Sequence, residues 1–341
     1  MSRVTLKSDG GILLGDTVSC DGFAWQRPVR VQTHIHADHM VGFDTSKANQ
    51  TLLMSTETRD LLFAIFNADL PYRTNVIALP FRRKYNTDSE TIELLPSNHM
   101  LGGAQVSVTC LDGFRVGYSS DFFWPIDDVI QVDELLVDAT YGNPLGIRRY
   151  DQQRVDELLI SVAAGYLRQG RSTAIIGFNG RLQYVMHLLK EMSAYPVICS
   201  AKSFPLVDVY RQHGYPTPSV LNASSTEALD LLRRKEPCLA FVTLHERRHL
   251  PWVDRFAKIS LSAYMTNASQ PLVMYDNGDC CIALTDHADF LGTVEYVRAT
   301  GAKAVWTDPR TGDADALAIA LTERLGIVAR PAVAQLSRAW G

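Results

Sequence analysis

At 341 residues the chain exceeds what one hydrophobic core organises, and 46% apolar with 21% charged residues excludes a disordered or collagen-like polymer. A net charge of −4 gives no global attraction to polyanions, which counts against a coating or architectural nucleic-acid binder and leaves only local basic grooves. Without an apolar run of about eighteen residues or an apolar signal core, the expectation is a soluble, cytoplasmic protein with no membrane partner.

The first half is strand-rich. Short apolar or alternating runs predict strands at 11–15, 29–33, 91–95, 104–110, 114–118 and 134–138. A helix is expected over 55–66, capped by Ser55 or Thr56, with apolar Leu61, Leu62, Ile65 and Phe66. From about residue 154 helix and strand alternate: helix 155–167, strand 173–178, helix 181–192, strand 197–200, then strands at 239–244 and 259–264. The tail offers a strand at 304–308 and an Ala/Leu-rich helix over 313–325. No repeat or low-complexity segment is visible. The six cysteines contain no Cys-x-x-Cys pair and read as buried free thiols.

Residues 33–39 read Thr-His-Ile-His-Ala-Asp-His, directly after an apolar run. In extended backbone, side chains at i and i+2 share a face, so His34 and His36 can converge on one metal ion. A turn into a helix there would aim Asp38 and His39 at a second ion, giving a two-metal site. Further ligands are expected where apolar strands end. His99, before a Gly-Gly turn, would complete a three-imidazole set, and Asp121 could bridge both ions. Alone, His99 would read as a loop residue.

With these residues in this order, the sequence resembles the metallo-β-lactamase superfamily, which implies an α/β fold: an αβ/βα sandwich with a binuclear site. The resemblance implies metal ligation by His34, His36, Asp38, His39, His99 and Asp121, with Asp21 buttressing the site. Three more segments resemble the β-CASP nuclease branch, which carries an inserted α/β domain. They are Val137-Asp-Ala-Thr-Tyr-Gly with Asp138 as its acid, Gly180-Arg-Leu-Gln opening a helix, and Thr285-Asp-His-Ala-Asp with His287 as catalytic histidine. Individually these would read as a strand cap, a helix start with an exposed Arg181, and a loop ion cluster. The implied domains are 1–145 and 281–341 for the lactamase fold and 146–280 for the insert.

Two departures bear on this resemblance. Asn98 replaces the glycine that often precedes the third metal histidine, and Asp308 falls where RNA-cleaving members carry a metal-binding histidine. DNA-processing members also lack that histidine, and ligase-associated DNA exonucleases are of similar length. The expectation is therefore a DNA exonuclease with two divalent ions, zinc or else manganese, and Asp308 as an alternative ligand. Its partners would be DNA in preference to RNA, and a DNA-repair protein. Asp38, Asp138 and His287 would be catalytic, His287 protonating the leaving oxygen, with Arg181 contacting phosphate. Rival readings are an RNA-processing ribonuclease, a lactamase-fold hydrolase of small molecules, and an inactive scaffold subunit.

Overall fold

A computed structural model describes residues 2–192, 194–263 and 270–335. The chain divides into two compact units, one of Met1–Ile147 with Asp286–Gly341 and one of Arg148–Thr285. Both are mixed α/β.

The first unit opens with a six-stranded sheet in chain order: β1 (Val4–Leu6), β2 (Ile12–Leu14), β3 (Val18–Cys20), β4 (Val29–Val31), β5 (Thr51–Met54) and β6 (Val76–Ala78). β1 to β3 pair antiparallel and β3 to β6 parallel. Parallel neighbours need crossovers, and α1 (Phe43–Asn49) and α2 (Thr56–Ile65) supply two of them. Ser55 caps α2, accepting from the Thr58 amide at 3.0 Å. Leu61 and Leu62 are buried together with Thr58, whereas Ile65, on the same stripe but at the last helical position, is 44% exposed.

The second sheet follows as β7 (Lys84–Asn86), β8 (Glu90–Pro96), β9 (Ala104–Cys110), β10 (Arg115–Tyr118) and β11 (Glu134–Val137). The period-two alternation of strands sorts residues between layers. Leu53 points between the sheets with Ile92, Val106 and Leu136, while Leu52 and Met54 face Phe43 and Leu62 on the outer side.

The second unit runs α3 (Gln152–Arg168), β12 (Thr173–Gly177), α4 (Arg181–Leu188), β13 (Val197–Cys199), α5 (Phe204–Gln212), β14 (Val220–Asn222), α6 (Thr226–Arg234), β15 (Leu239–Thr243), β16 (Ala257–Ser262), β17 (Leu272–Met274) and β18 (Cys280–Ala283). Its sheet has the order β14-β13-β15-β12-β16-β18-β17, parallel except for β17. Such strands are buried on both faces, which is why 173–177 reads as an unbroken apolar run. α4 ends four residues before its expected limit, where the helical ladder gives way to a three-residue span, Lys190 N to His187 O at 3.4 Å. The strand expected at 259–264 begins earlier and stops at Ser262, and Tyr264 lies outside the described residues.

The chain then re-enters the first unit through α7 (Phe290–Thr300), β19 (Ala304–Thr307), α8 (Ala314–Leu325) and β20 (Val328–Pro331). β19 joins β11 in parallel, completing a second sheet of order β20-β19-β11-β10-β9-β8-β7. Leu135 and Val137 face α7 and α8 on its outer side. Strand directions therefore bring the ends of β3, β4, β8, β10, β11 and β19 to one edge. There the Ala104 amide donates across the two sheets to Thr33 O at 3.1 Å.

Leu53→Ala should lower unfolding free energy by about 2–5 kcal/mol, because the space between two closed sheets cannot collapse to fill the cavity. Ile65→Ala should stay within about 0.5 kcal/mol. Urea titrations followed by near-UV circular dichroism compare the two.

Candidate metal centre

The edge shared by the two sheets carries every imidazole and carboxylate of the motifs in the first unit. After β4 the backbone stays extended to His36 and then turns through a short 3-10 segment, Ala37–His39. The extended stretch sets His34 and His36 on a common side, with ring centroids 4.8 Å apart, and the turn carries His39 back to within 4.0 Å of His34. His99 comes from the loop between β8 and β9, Asp121 from the turn after β10, Asp138 from the end of β11, and His287 from the segment before α7.

Three of these turns need left-handed backbone at residues with side chains: Asp21 (φ 56°), Asn98 (φ 57°) and Ser120 (φ 53°). Asparagine and aspartate tolerate this region better than other non-glycine residues, so Asn98 serves where the resemblance expects glycine. Strain of this kind gathers at functional sites.

The ring orientations follow from what each Nδ1 meets. His99 Nδ1 lies 3.0 Å from the Asp286 carbonyl, which can only accept, so Nδ1 carries the hydrogen and Nε2 a lone pair. His39 Nδ1 likewise donates to Asp21 Oδ2 at 2.7 Å. The Thr33 hydroxyl donates to the same carboxylate oxygen at 2.7 Å, and so can accept from His34 Nδ1 at 3.1 Å. Nε2 of His34, His39 and His99 therefore all face Asp121 Oδ2, at 3.7, 3.4 and 3.6 Å. His36 Nδ1 stands 3.1 Å from His99 Nε2. With a lone pair on His99 Nε2, His36 Nδ1 at that distance either donates its hydrogen to it or shares a cation with it.

This donor set fits a divalent cation. His34 Nε2 is buried and makes no hydrogen bond, which costs free energy unless something electrophilic meets it. His34, His36, His99 and Asp121 present ligand atoms within 4.8 Å of one another, and so do Asp38, His39 and Asp121. Asp121 belongs to both groups. Asp38 is 69% exposed, its Oδ2 3.7 Å from His39 Nε2. A third group joins Asp121 to Asp138 and His287, and a fourth joins His99 to Asp286 and His287.

Charge is distributed unevenly. Burial, then the neighbouring imidazoles, pushes His34 well below the ordinary histidine range. Burial takes His99 down to about 4. For His39, burial opposes protonation but Asp121 and Asp21 outweigh it, raising the ring well above its usual range. Burial also opposes protonation of His287, yet Asp121 and Asp138 lift it to about 9. Asp121 is held well below the usual carboxylate range, since His39 and His287 overcome its burial.

His287 is fixed by Asp138, whose Oδ2 lies 2.9 Å from Nδ1, while Oδ1 accepts from Thr140 N and Oγ1 at 2.8 and 2.7 Å. The remaining ring nitrogen, Nε2, faces Asp121 Oδ2 at 3.9 Å.

Asp308, expected as an alternative ligand, is not a member of these groups. It sits at the end of β19, buried, with both oxygens held 2.9 Å from Arg310 Nε and one also accepting from the Arg310 amide at 3.0 Å. Arg310 in turn donates to Gly10 O at 2.7 Å, so the carboxylate anchors an internal strut. Arg181 lies in the second unit, at the first position of α4. It is 7% exposed, against the exposed position expected of a bare helix start.

Three contributors escaped the sequence reading. Asp286 acts through its backbone carbonyl, which no residue-type pattern displays. Arg30 and Gln32 are buried beneath the histidine loop. Arg30 donates to Val41 O (2.8 Å), His39 O (3.0 Å), Ser46 Oγ (3.1 Å) and Gln32 Oε1 (2.8 Å). Gln32 Nε2 donates to His34 O at 2.7 Å and His39 O at 3.0 Å. Burial lowers the Arg30 guanidinium to about 10, partly offset by Asp21. The available signal was an arginine between two valines in a strand that is otherwise apolar.

No family model matches the chain. An uncharacterized Acidianus ambivalens protein named for its place in the lig 3' region is 33% identical over 135 residues. That match covers 38% of this chain and 94% of the relative. The chain belongs to the family of that protein. Among solved structures, a crystal structure of a protein of unknown function from Enterococcus faecalis V583 shares the fold, with a TM-score of 0.56 and 13% identity. That likeness covers 82% of this chain and 74% of the other.

Arg30→Met should lower stability by about 3 kcal/mol, since the apolar replacement strands several buried acceptors of the histidine loop. The thermal midpoint should fall even in the presence of chelator, which separates this scaffold effect from loss of bound metal.

Proposed function

We propose that the chain is a metal-dependent phosphodiesterase, a nuclease of the metallo-β-lactamase type with a β-CASP insert, acting on DNA as an exonuclease. The observation that carries this reading is that His34, His36, His39, His99, Asp121, Asp138 and His287 meet at one edge of the first unit in overlapping groups that share Asp121 and whose ligand atoms lie within 4.8 Å of one another. His34, His36, His99 and Asp121 would hold one ion, and an imidazole-rich set of this kind suits zinc. Asp38, His39 and Asp121 would hold a second, where the larger share of carboxylate oxygen also suits manganese. Such ions, when bound, make water acidic enough to attack near neutral pH and neutralise charge on phosphoryl oxygens.

The chain's own groups position and move protons. Asp21 and the Asp286 carbonyl fix the rings of His39 and His99, so that their Nε2 atoms keep a set direction. Asp138 grips His287 Nδ1, which leaves Nε2 as the atom that hands a proton to the departing oxygen. A hydrolase of small molecules would have no need of this pair. The Asp308–Arg310 strut, standing where RNA-cleaving relatives carry a metal histidine, supports the DNA-processing branch. Cytoplasmic location and a DNA-repair partner belong to the same proposal. Among the described residues, no helix is long and apolar enough to cross a membrane.

Metal analysis of the purified protein by mass spectrometry should find bound zinc or manganese, and His36→Ala and Asp121→Ala should each lose at least one equivalent. Full occupancy in both variants defeats the ligand assignment.

His287→Ala should keep its metal and lose about a hundredfold or more in cleavage rate on end-labelled DNA. Undiminished activity of this variant on lactone or thioester substrates, with no nucleic acid cut, points instead to small-molecule hydrolysis. Faster cleavage of RNA than of DNA moves the protein to the ribonuclease branch.

A further inference from the structure

In the second unit, β12 and β15 are parallel neighbours whose following connections leave on opposite faces of the sheet. α4, after β12, packs with Ile175 and Phe241. The segment after β15 packs through Val253 and Phe256 against Ala174, Ile176 and Val242. Connections that diverge in this way open a crevice at the carboxyl ends of the strands, where ligands of open parallel sheets bind.

Two large apolar side chains stand at that crevice in solvent. Phe178 follows β12 and is 50% exposed, and Leu244 follows β15 and is 48% exposed. The Leu244 amide donates to Gly177 O at 3.2 Å, so the two residues leave their strands side by side. The Arg181 guanidinium lies 5.7 Å from the Phe178 ring centroid. The neighbouring loops are tied together by one buried carboxylate. Glu246 accepts from Ser200 Oγ at 2.6 Å, Thr243 Oγ1 at 2.7 Å and the Lys202 amide at 3.2 Å, and Ser203 Oγ reaches Asn179 Oδ1 at 2.9 Å. The negative charge is thus spent inside the loops, while Lys202 and Arg248, carried by the same two loops, are exposed.

A half-exposed aromatic ring beside a guanidinium, with exposed cations on the neighbouring loops, is what a flexible polyanion with flat bases recognises, because stacking gives sequence-tolerant affinity and the cations meet phosphates. We infer that this crevice seats single-stranded nucleic acid, one base stacking on Phe178 beside Leu244 and the backbone passing Lys202 and Arg248. The inference deepens the nuclease reading and rests on it for the class of ligand.

The test is fluorescence anisotropy on the full chain in chelator, with labelled oligothymidylate, oligouridylate and a DNA duplex. Phe178→Ala should weaken the single strands about tenfold, and Phe178→Trp should restore affinity. Phe178→Ala should leave the salt dependence of binding unchanged, whereas Lys202→Ala should reduce its slope by about 0.7, as loss of one phosphate contact predicts. Leu244→Glu, on the surface, should weaken binding without changing the thermal midpoint. Equal losses for the two single strands make the seat indifferent to sugar, and a loss confined to one names its polymer. Unchanged single-strand affinity in both Phe178→Ala and Leu244→Glu, or a loss confined to the duplex, overturns the seat. Oligonucleotide held through Phe178 yet never cut with zinc or manganese leaves the seat standing and removes the nuclease reading. Cutting with unaltered affinity in the variants does the reverse.

Discussion

The first unit is organised around one carboxylate. Asp121 Oδ2 lies between 3.4 and 3.9 Å from a ring nitrogen of His34, His39, His99 and His287, with most of its side chain out of water. An anion in that position is costly unless positive charge meets it. Four rings contributed by three separate segments of the chain satisfy that demand only if all three reach the same edge. The parallel directions of β3 with β4, and of β10 with β11 and β19, bring this about. The fold is in this sense a device for delivering loop ends to a common place.

The supports beneath are arranged by the same logic. Each ring that faces Asp121 with one nitrogen is fixed through the other, by Asp21, Thr33, Asp138 or the Asp286 carbonyl. Arg30 and Gln32 then saturate the carbonyls of the loop that carries three of the imidazoles. Buried polar networks are useful only when every member is satisfied, and one exception here, His34 Nε2, is well placed to meet a cation. The same economy recurs in the second unit, where Glu246 spends its charge on hydroxyls and leaves the cations on the surface.

The legible parts of this molecule were those with local period or spacing. Ser55 as a cap, the alternation of 104–110 and the i, i+2 placement of His34 and His36 all depend on residues a few positions apart. α5, α6 and α7 were not read, although Ser225 and Asp289 cap the last two and Ala228, Leu231 and Leu232 recur at helical spacing in α6. Arg30 looked like an ordinary strand charge, and Asp286 works through an atom every residue possesses. Asp308 drew attention by its place in a motif, yet its chemistry was decided by Arg310, two residues on.

One further consequence follows from the division of the chain. Residues 148–285 intervene between Asp138 and His287, and between His99 and the carbonyl that orients it. During synthesis on the ribosome, the histidine loop and Asp121 emerge long before their counterparts at 286 and 287. The nascent polypeptide therefore lacks the last imidazole of the cluster and the carbonyl that orients His99 through translation of the whole insert, and the cluster is completed only once that insert has been made.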